Sequence, residues 1–182
     1  MKLIKYLLPV VAIFISVTSA KAQTQPETAE KIINDAKAEA AGSHKNVFVI
    51  FHASWCVWCH RMDTAMNDKQ IKSFFDKSYV IKHLTVDENG DKKKLENPGA
   101  NAIRTKYHGD EQGIPYWFII DKDGNFLADS RIVDASGKQG NNVGCPSQPD
   151  EVDYFITVLK KTSALNNNQL ELIKQRFLKN NS

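Results

Sequence analysis

Hydrophobic and polar residues follow two periods along the chain, and this pattern predicts where strands and helices lie. The β-branched and aromatic runs at 46–53 (NVFVIFHA) and 116–121 (YWFIID) are typical of strands buried on both faces. The run at 79–87 (YVIKHLTVD) alternates well enough to form another strand. A D-G turn at 121–125 predicts a hairpin that returns 126–130 as the partner strand.

Helices are predicted around these strands. Residues 26–41 carry helix formers throughout, and Gly42 is a suitable stop. Residues 149–162 begin with proline and carry acids in their first turn. The stretch 134–148, rich in Gly, Asn and Ser, predicts a long loop. Further helices are predicted at 57–66, 68–77, 101–108 and 168–179. This order predicts a parallel β–α–β start, an antiparallel hairpin and helices on both faces of a mixed sheet, which is an α/β architecture.

The first segment has the composition of an export signal. Lysines precede an apolar run at 6–17, and small residues follow at the positions of an A-x-A cleavage site. The run is shorter than the ~20 residues of a comfortable membrane span. We expect a signal peptide at 1–22, cleaved near Ala22–Gln23, and one mature domain at 23–182 that is periplasmic or secreted. An uncleaved anchor is the alternative.

Removing this segment changes the charge of the protein. The whole chain has a formal net charge of +3, and three lysines but no acid lie in residues 1–22. The mature chain is therefore neutral. No basic stripe interleaved with aromatic residues is visible, so we expect no nucleic-acid partner. Outside the cytosol, a cysteine pair is usually oxidised unless a partner keeps it reduced.

The chemistry concentrates in residues 54–60 (SWCVWCH), where two residues separate two of the three cysteines. This spacing suits a reversible disulfide, half of a metal site or, with His60, attachment of a c-type haem. A haem would need a second axial ligand such as His83 or His108, and the buried strand before the motif disfavours it. Zinc would need two more ligands, of which Cys145 could supply one. The reversible disulfide is the favoured interpretation, and no metal site is expected.

Together these features resemble the thioredoxin-like family, and most closely its exported thiol–disulfide reductases. The resemblance covers residues 45–130 and the C-terminal helix. It implies a thioredoxin-like mixed β-sheet sandwiched by helices, with an extra helix at each end of the chain. The residues that carry it are the strand at 47–53, WCVWC at Trp55–Cys59, the strand ending at Val86–Asp87, and Ile114–Pro115 before YWFIID.

The resemblance implies a role for each residue of the motif. Cys56 attacks a substrate disulfide, and Cys59 resolves the mixed disulfide. A position at a helix N-terminus would favour the Cys56 thiolate, because free N–H groups and the helix dipole stabilise an anion there. The family also implies a cis peptide bond before the proline. The expected substrate groove is framed by Trp55, Trp58, Ile114 and Pro115.

The chain departs from the family at the position of a buried acid, where Ile50 stands six residues before the first cysteine. Another group must then accept the proton of the second cysteine. Asp63 lies one helical turn after that cysteine, and His60 and His52 are the other candidates. Cys145, in the long loop, is either a third redox thiol or a small buried side chain.

We expect an exported thiol–disulfide oxidoreductase, acting as a disulfide reductase on protein disulfide or dithiol substrates. Its electrons reside in the cysteine pair, so no metal or organic cofactor is expected, but an upstream membrane or soluble redox partner is. The alternative is a thioredoxin-fold binding or chaperone-like module with little turnover. The direction of electron flow depends on the reduction potential, which the residues between the cysteines do not reveal.

Overall fold

The structure, a computed structural model, describes residues 25–134 and 136–181. The predicted signal peptide therefore lies outside the described residues. Within them, no helix is both long enough and apolar enough to cross a membrane. The helices are α1 (Ala29–Ser43), α2 (Val57–Met66), α3 (Lys72–Ser78), α4 (Ala100–Lys106), α5 (Pro149–Thr162) and α6 (Asn167–Leu178). The strands are β1 (Asn46–His52), β2 (Tyr79–Thr85), β3 (Tyr116–Ile120), β4 (Phe126–Asp129), β5 (Arg131–Val133) and β6 (Gln139–Asn142), and 3₁₀ turns follow β2 (Gly90–Leu95) and α6 (Lys179–Asn181).

The main sheet has four strands in the order β2-β1-β3-β4. β1 pairs with β2 in parallel and with β3 antiparallel, and β3 pairs antiparallel with β4 through the D-G turn. The carboxyl ends of β1 and β2 therefore meet at one edge of the sheet, where His52 lies opposite Thr85. This arrangement confirms the predicted mixed sheet with a parallel start.

β1 is an interior strand of the sheet, and both of its faces are apolar. Phe48 and Ile50 pack into a core formed with α2, α3, α5 and α6. Val49 and Phe51 pack on the opposite face, against α1 and α4. Burying each such side chain contributes about 1.5–3 kcal/mol, so the strand that leads into the cysteine motif is firmly held. The predicted sandwich, with an added helix at each end, is confirmed.

The predicted ends of the first helix are wrong. The helix begins at Ala29 because Thr28 caps it, its hydroxyl oxygen accepting the N–H of Lys31 at 3.3 Å. At the other end the helix passes through Gly42 and ends at Ser43. His44, with φ 54°, takes the left-handed position expected of the glycine, and its N–H donates to the Ala40 carbonyl.

The prediction of a loop throughout 134–148 is also wrong in part. β5 and β6 form a separate antiparallel hairpin. Asp134 builds its turn, because one carboxylate oxygen accepts the N–H groups of Ser136 and Lys138, at 2.8 and 3.0 Å. Residues 143–148 then lead without regular structure into α5.

Candidate active site

The cysteine motif lies where β1 turns into α2. Cys56 is the N-cap of α2, with extended backbone angles, and its N–H donates to the Ala53 carbonyl at 3.1 Å. Its sulfur accepts the N–H of Cys59, also at 3.1 Å. A backbone donor and the positive end of the helix dipole thus both face this sulfur, and both stabilise a thiolate. The predicted position of Cys56 at a helix N-terminus agrees with this geometry.

The two cysteines are joined to each other as a disulfide. Cys56 is 4% exposed and Cys59 is 1% exposed, so Cys56 is the more accessible cysteine of the pair. In the part of the chain that the structure describes, no three His, Cys, Asp or Glu residues are grouped so as to hold a metal ion. The two sulfurs are therefore joined as the disulfide interpretation of the motif requires.

Large apolar side chains surround this disulfide on the surface. Trp55, Val57 and Trp58 are 51%, 63% and 44% exposed. The indole N–H of Trp55 donates to the Asp87 carbonyl at 2.7 Å, which fixes the ring beside the motif. The guanidinium of Arg61 stacks on Trp58, with its carbon 4.6 Å from the ring centroid. Exposed apolar patches are typical of surfaces that contact another molecule.

The peptide bond between Ile114 and Pro115 is cis, as the resemblance implied. The Ile114 carbonyl oxygen lies 3.6 Å from the sulfur of Cys56. Both residues line a cleft of about 300 Å³ beside the disulfide. Trp58, Asn142, Gly144 and Cys145 contribute to its other walls. The motif and the proline loop, 58 residues apart in sequence, therefore form one site.

Comparison with known proteins gives the family. A sequence model described as thioredoxin-like matches residues 28–122, just over half of the chain. The chain belongs to the thioredoxin-like family. Its cysteine pair has the position and spacing of the redox group of thiol–disulfide oxidoreductases, so that prediction is confirmed at the level of the family. No curated protein matches the chain.

Several solved structures are similar at low sequence identity. A disulphide isomerase from Xylella fastidiosa Temecula1 is 21% identical, with 59% of this chain and 80% of that one covered and a TM-score of 0.45. The C-terminal domain of DsbD from Neisseria meningitidis, in its oxidised form, is 17% identical, with 76% and 99% covered and a TM-score of 0.46. The thioredoxin domain of a thiol-disulfide oxidoreductase from Bacteroides vulgatus is 20% identical, with 72% and 84% covered and a TM-score of 0.41.

Ile50, which replaces the buried acid of the thioredoxin-like family, is 1% exposed and part of the core. Three groups that can carry a proton lie on the same face of the sheet as Ile50: Asp63, His52 and His83. The Nε2–H of His83 donates to a carboxylate oxygen of Asp63 at 2.8 Å. The rings of His52 and His83 are 4.9 Å apart. Burial and the neighbouring His83 lower the pKa of His52, so its ring favours the neutral form.

The other predicted acceptor, His60, lies elsewhere on the surface. Its Nε2–H donates to the Ser54 carbonyl at 3.0 Å, and the side chain is exposed. Asp63 of α2, His52 of β1 and His83 of β2 therefore come together, whereas His60 braces the segment before the motif. His83 is a member of this cluster that the sequence interpretation considered only as a haem ligand.

Glu88 is a site residue that sequence reasoning missed. It is 2% exposed, and its carboxylate accepts the N–H and the hydroxyl of Ser54, at 2.6 and 2.8 Å. The ammonium of Lys92 donates to the same hydroxyl at 3.0 Å. These bonds anchor the segment that carries the motif. The sequence signal for this role is the position of Glu88 shortly after β2. Ser54 follows β1, and the carboxyl ends of these neighbouring parallel strands meet at one edge of the sheet.

Asn142 was also missed. Its side-chain N–H groups donate to the carbonyls of Gly113 and Pro115, at 2.7 and 3.1 Å. Its side-chain oxygen accepts the N–H of Gly144 at 2.9 Å. The loop after β6 is thereby fastened to the cis-proline loop. Gly144 has φ 53°, and a side chain there would lie 3.3 Å from the Pro115 carbonyl, so glycine suits the position.

Cys145 is 5% exposed and is not bonded to another cysteine. The side-chain amide of Asn180 lies 3.4 Å from its sulfur and donates to it. Burial raises the pKa of Cys145 to about 12, so the thiol stays protonated near neutral pH. The structure therefore favours a packing role for this third cysteine over a redox role.

Proposed function

We propose that this protein is an exported thiol–disulfide oxidoreductase that acts as a disulfide reductase on protein substrates. The observation that carries the proposal is the Cys56–Cys59 pair at the start of α2, beside a cis-proline loop and an exposed apolar surface. A helix N-terminus is an environment that lowers the pKa of a cysteine. The pair supplies both electrons of the reaction, so the chemistry needs no metal or organic cofactor.

The reaction begins with the dithiol form of the protein. The Cys56 thiolate attacks one sulfur of a substrate disulfide, and the departing substrate sulfur leaves as a thiolate that takes up a proton. Cys59 then loses its proton and attacks the Cys56 sulfur, which breaks the mixed disulfide. The second substrate sulfur leaves and is protonated in turn. The substrate gains two electrons and two protons, and the protein ends with the disulfide described above.

Asp63 is the proposed acceptor of the Cys59 proton. It lies one helical turn after Cys59, on the same face of α2. The N–H of His83 donates to its carboxylate and holds it in place. His52, whose ring favours the neutral form, is a second base beside this pair. His60 is assigned no proton role, because its ring is engaged with the Ser54 carbonyl.

The substrate is proposed to lie across the apolar surface around the disulfide. Trp55 and Trp58 are exposed on this surface, and Ile114 and Pro115 line the adjacent cleft. A proline has no N–H, which leaves room for an extended substrate segment beside the Ile114 backbone. The apolar contacts would supply affinity for unfolded or extended segments.

The place of the protein in the cell follows from its first segment. Residues 1–22 are proposed to direct export and to be removed near Ala22–Gln23, leaving the domain at 23–182 in the periplasm or outside the cell. A reductant in an oxidising compartment needs a supply of electrons. We therefore propose an upstream membrane or soluble redox partner that returns the Cys56–Cys59 disulfide to the dithiol.

The proposal is tested with the reduced protein, freed of excess reductant and mixed with a protein disulfide substrate. Reductase function predicts that one substrate disulfide opens for each Cys56–Cys59 pair that forms, as counted by thiol titration and mass spectrometry. The Cys59→Ser variant should instead accumulate a mixed disulfide with the substrate. Stable binding of unfolded chains without any disulfide exchange would support the binding or chaperone-like alternative, which the exposed Trp55, Val57 and Trp58 also favour.

A further inference from the structure

Glu88 is a buried acidic side chain close to the cysteine motif, and the reaction proposed for this protein assigns it no role. Only 2% of the residue is exposed to solvent. Its Oε1 accepts the N–H of Ser54 and its Oε2 accepts the Ser54 hydroxyl, at 2.6 and 2.8 Å. Both oxygens act as acceptors, as in an ionised carboxylate. Glutamate is rarely buried to this extent, because removing its charge from water costs free energy.

The carboxylate lies within one turn of the chain from the reacting cysteine. Ser54 and Cys56 are two residues apart, so the distance between their Cα atoms is at most about 7.6 Å. The N–H of Cys56 donates to the Ala53 carbonyl at 3.1 Å, which closes a turn between them. Ala53, Cys56 and Cys59 are buried and pack together. The cysteine pair is thus partly shielded from water, and a nearby charge acts more strongly in such surroundings than in bulk solvent.

Two basic side chains contact the same loop as Glu88. The ammonium of Lys92 donates to the Ser54 hydroxyl at 3.0 Å, so that hydroxyl separates its positive charge from the Glu88 carboxylate. Lys92 is exposed, and water and salt screen its charge more than they screen a buried one. Arg104 binds the carboxylate of the preceding residue, Asp87, with 2.6 Å between Nη1 and Oδ2. These two charges of opposite sign offset each other.

The charge of Glu88 acts on groups at the carboxyl end of β1, the strand that leads into the motif. Burial and the nearby ring of His83 lower the pKa of His52, whereas the carboxylates of Asp63 and Glu88 act in the opposite direction. A further carboxylate, that of Glu96, accepts the backbone N–H of Glu88 at 2.8 Å. Negative charge is therefore concentrated beside the segment that positions the reacting sulfur.

We propose that the negative charge of Glu88 disfavours the Cys56 thiolate and thereby makes the cysteine pair a stronger reductant. This inference rests on the proposed reductase function and names a residue that helps to set the direction of electron flow. A cysteine pair is a strong oxidant when its reduced form is stabilised. A negative charge near Cys56 has the opposite effect, because it opposes the backbone N–H and the helix dipole that stabilise the thiolate.

The test measures the pKa of the Cys56 thiol in the reduced protein, from its rate of alkylation by iodoacetamide at a series of pH values. Tandem mass spectrometry shows which cysteine is modified. In Glu88→Gln, which removes the charge at a similar size, we expect the acid dissociation constant of Cys56 to rise about three- to tenfold. The equilibrium with glutathione should shift towards the dithiol by up to the same factor, and a tenfold shift corresponds to about 30 mV.

Variants separate the charge of Glu88 from its role as an anchor. Glu88→Asp keeps the charge and should keep the pKa of Cys56 near its parent value. Ser54→Ala removes an anchoring hydroxyl but keeps the carboxylate, so it should not lower that pKa. Lys92→Glu, at an exposed position, replaces a positive charge by a negative one and should raise that pKa. The matched control is Lys77→Glu, an exposed position near the opposite end of the sheet, which should leave the pKa unchanged.

Shifts of opposite sign in Glu88→Gln and Lys92→Glu support the inference, and shifts of the same sign refute it. If Glu88→Gln does not fold, Lys92→Glu decides, because an unchanged pKa of Cys56 there refutes a charge effect at this position. Reduction of bis(2-hydroxyethyl) disulfide by the parent protein tests the proposed function separately. If the parent reduces it and Glu88→Gln leaves the pKa unchanged, the charge effect is refuted and reductase function stands. If the parent reduces no disulfide and Glu88→Gln lowers the pKa, the proposed function is wrong and the charge effect stands.

Discussion

Cys145 lines the cis-proline cleft and Cys56 lies beside it, close to Ile114, yet the surroundings of the two cysteines differ. Cys56 caps a helix, its sulfur accepts a backbone N–H, and exposed apolar side chains lie around it. Cys145 lies in the loop after β6, caps no helix, and has a pKa raised to about 12 by burial, although it is about as buried as Cys56 (5% and 4% exposed). The comparison shows that the backbone position of a cysteine, and not its nearness to the site, determines whether its thiolate is available.

The largest expected effect is the loss of Cys56 chemistry. In Cys56→Ser, disulfide exchange should fall at least about 1000-fold, because a serine hydroxyl is not ionised near neutral pH and cannot form the mixed disulfide. Cys145→Ser should stay within about twofold of the parent protein. The measurement is the rate of reduction of a protein disulfide. If Cys145→Ser is as inactive as Cys56→Ser, the division of roles between the two cysteines is wrong.

The two thiols should also differ in reactivity towards an alkylating agent. In the reduced protein near neutral pH, we expect iodoacetamide to modify Cys56 about 1000-fold faster than Cys145, because a thiol with a pKa near 12 is almost wholly protonated there. Mass spectrometry of peptides at successive times gives both rates. In denaturant the two rates should become similar, and a fast native reaction at Cys145 would contradict its assigned burial.

The raised pKa of Cys145 has a consequence for stability. The unfolded thiol loses its proton near pH 8.5, whereas the folded thiol keeps it until about pH 12. Its contribution to the free energy of unfolding is therefore complete below about pH 8.5 and is lost as the pH rises towards 12. Denaturant titrations of the oxidised protein from about pH 8 to 9.5 should show a smaller alkaline loss in Cys145→Ala. The tyrosines with raised pKa values (Tyr79, Tyr116 and Tyr154) contribute little there, because in the unfolded chain they titrate only near pH 10.

A sharper test concerns the proton that Cys59 must lose. In Asp63→Asn, resolution of the mixed disulfide should slow by roughly a hundredfold near neutral pH, since a general base contributes about that much. The rate of substrate release is followed by rapid mixing across a range of pH. The defect should shrink as the pH rises, because hydroxide then removes the proton.

The matched control for this variant is Asp76→Asn, an exposed carboxylate on α3 that binds Lys72. It should leave the rate unchanged at every pH. An unchanged rate in Asp63→Asn would transfer the proton role to His52, whose neutral ring lies in the same cluster.

The smallest effect concerns the loop that carries Cys145. In Asn142→Ala, the carbonyls of Gly113 and Pro115 lose a donor, and the free energy of unfolding should fall by about 1–3 kcal/mol. Urea titration measures it. The neighbouring Asn141→Ala, at an exposed position of β6, should change stability by less than about 0.5 kcal/mol. Equal effects of the two variants would show that the fastening of the loop adds no stability.

The parts of the site that local sequence specifies could be predicted. A few consecutive residues are enough to predict each of three features. These are the buried run of β1, the helix that starts at Val57, and the Ile114–Pro115 step. The residues that fasten these parts together could not, because their partners are distant. Glu88 lies 34 residues from Ser54, Asn142 lies 29 from Gly113, and Asn180 lies 35 from Cys145.

Two local signals were also overridden. Gly42 is a suitable helix stop, but the helix continues and His44 takes the left-handed position. The Gly- and Asn-rich stretch after β5 lacks the pattern of a strand, yet the Asp134 turn brings β6 alongside β5. In both places, hydrogen bonds within the fold outweigh the intrinsic preference of the residues.

The most direct test of the reductase proposal is the reduction potential of the Cys56–Cys59 pair, measured in Cys145→Ser to exclude the third thiol. The protein is equilibrated in graded thiol buffers, and the fluorescence of Trp55 and Trp58 follows the redox state. We expect a value near that of thioredoxin, about −270 mV, which would let the dithiol reduce protein disulfides. A value near about −120 mV, where the disulfide is a strong oxidant, would contradict the proposal.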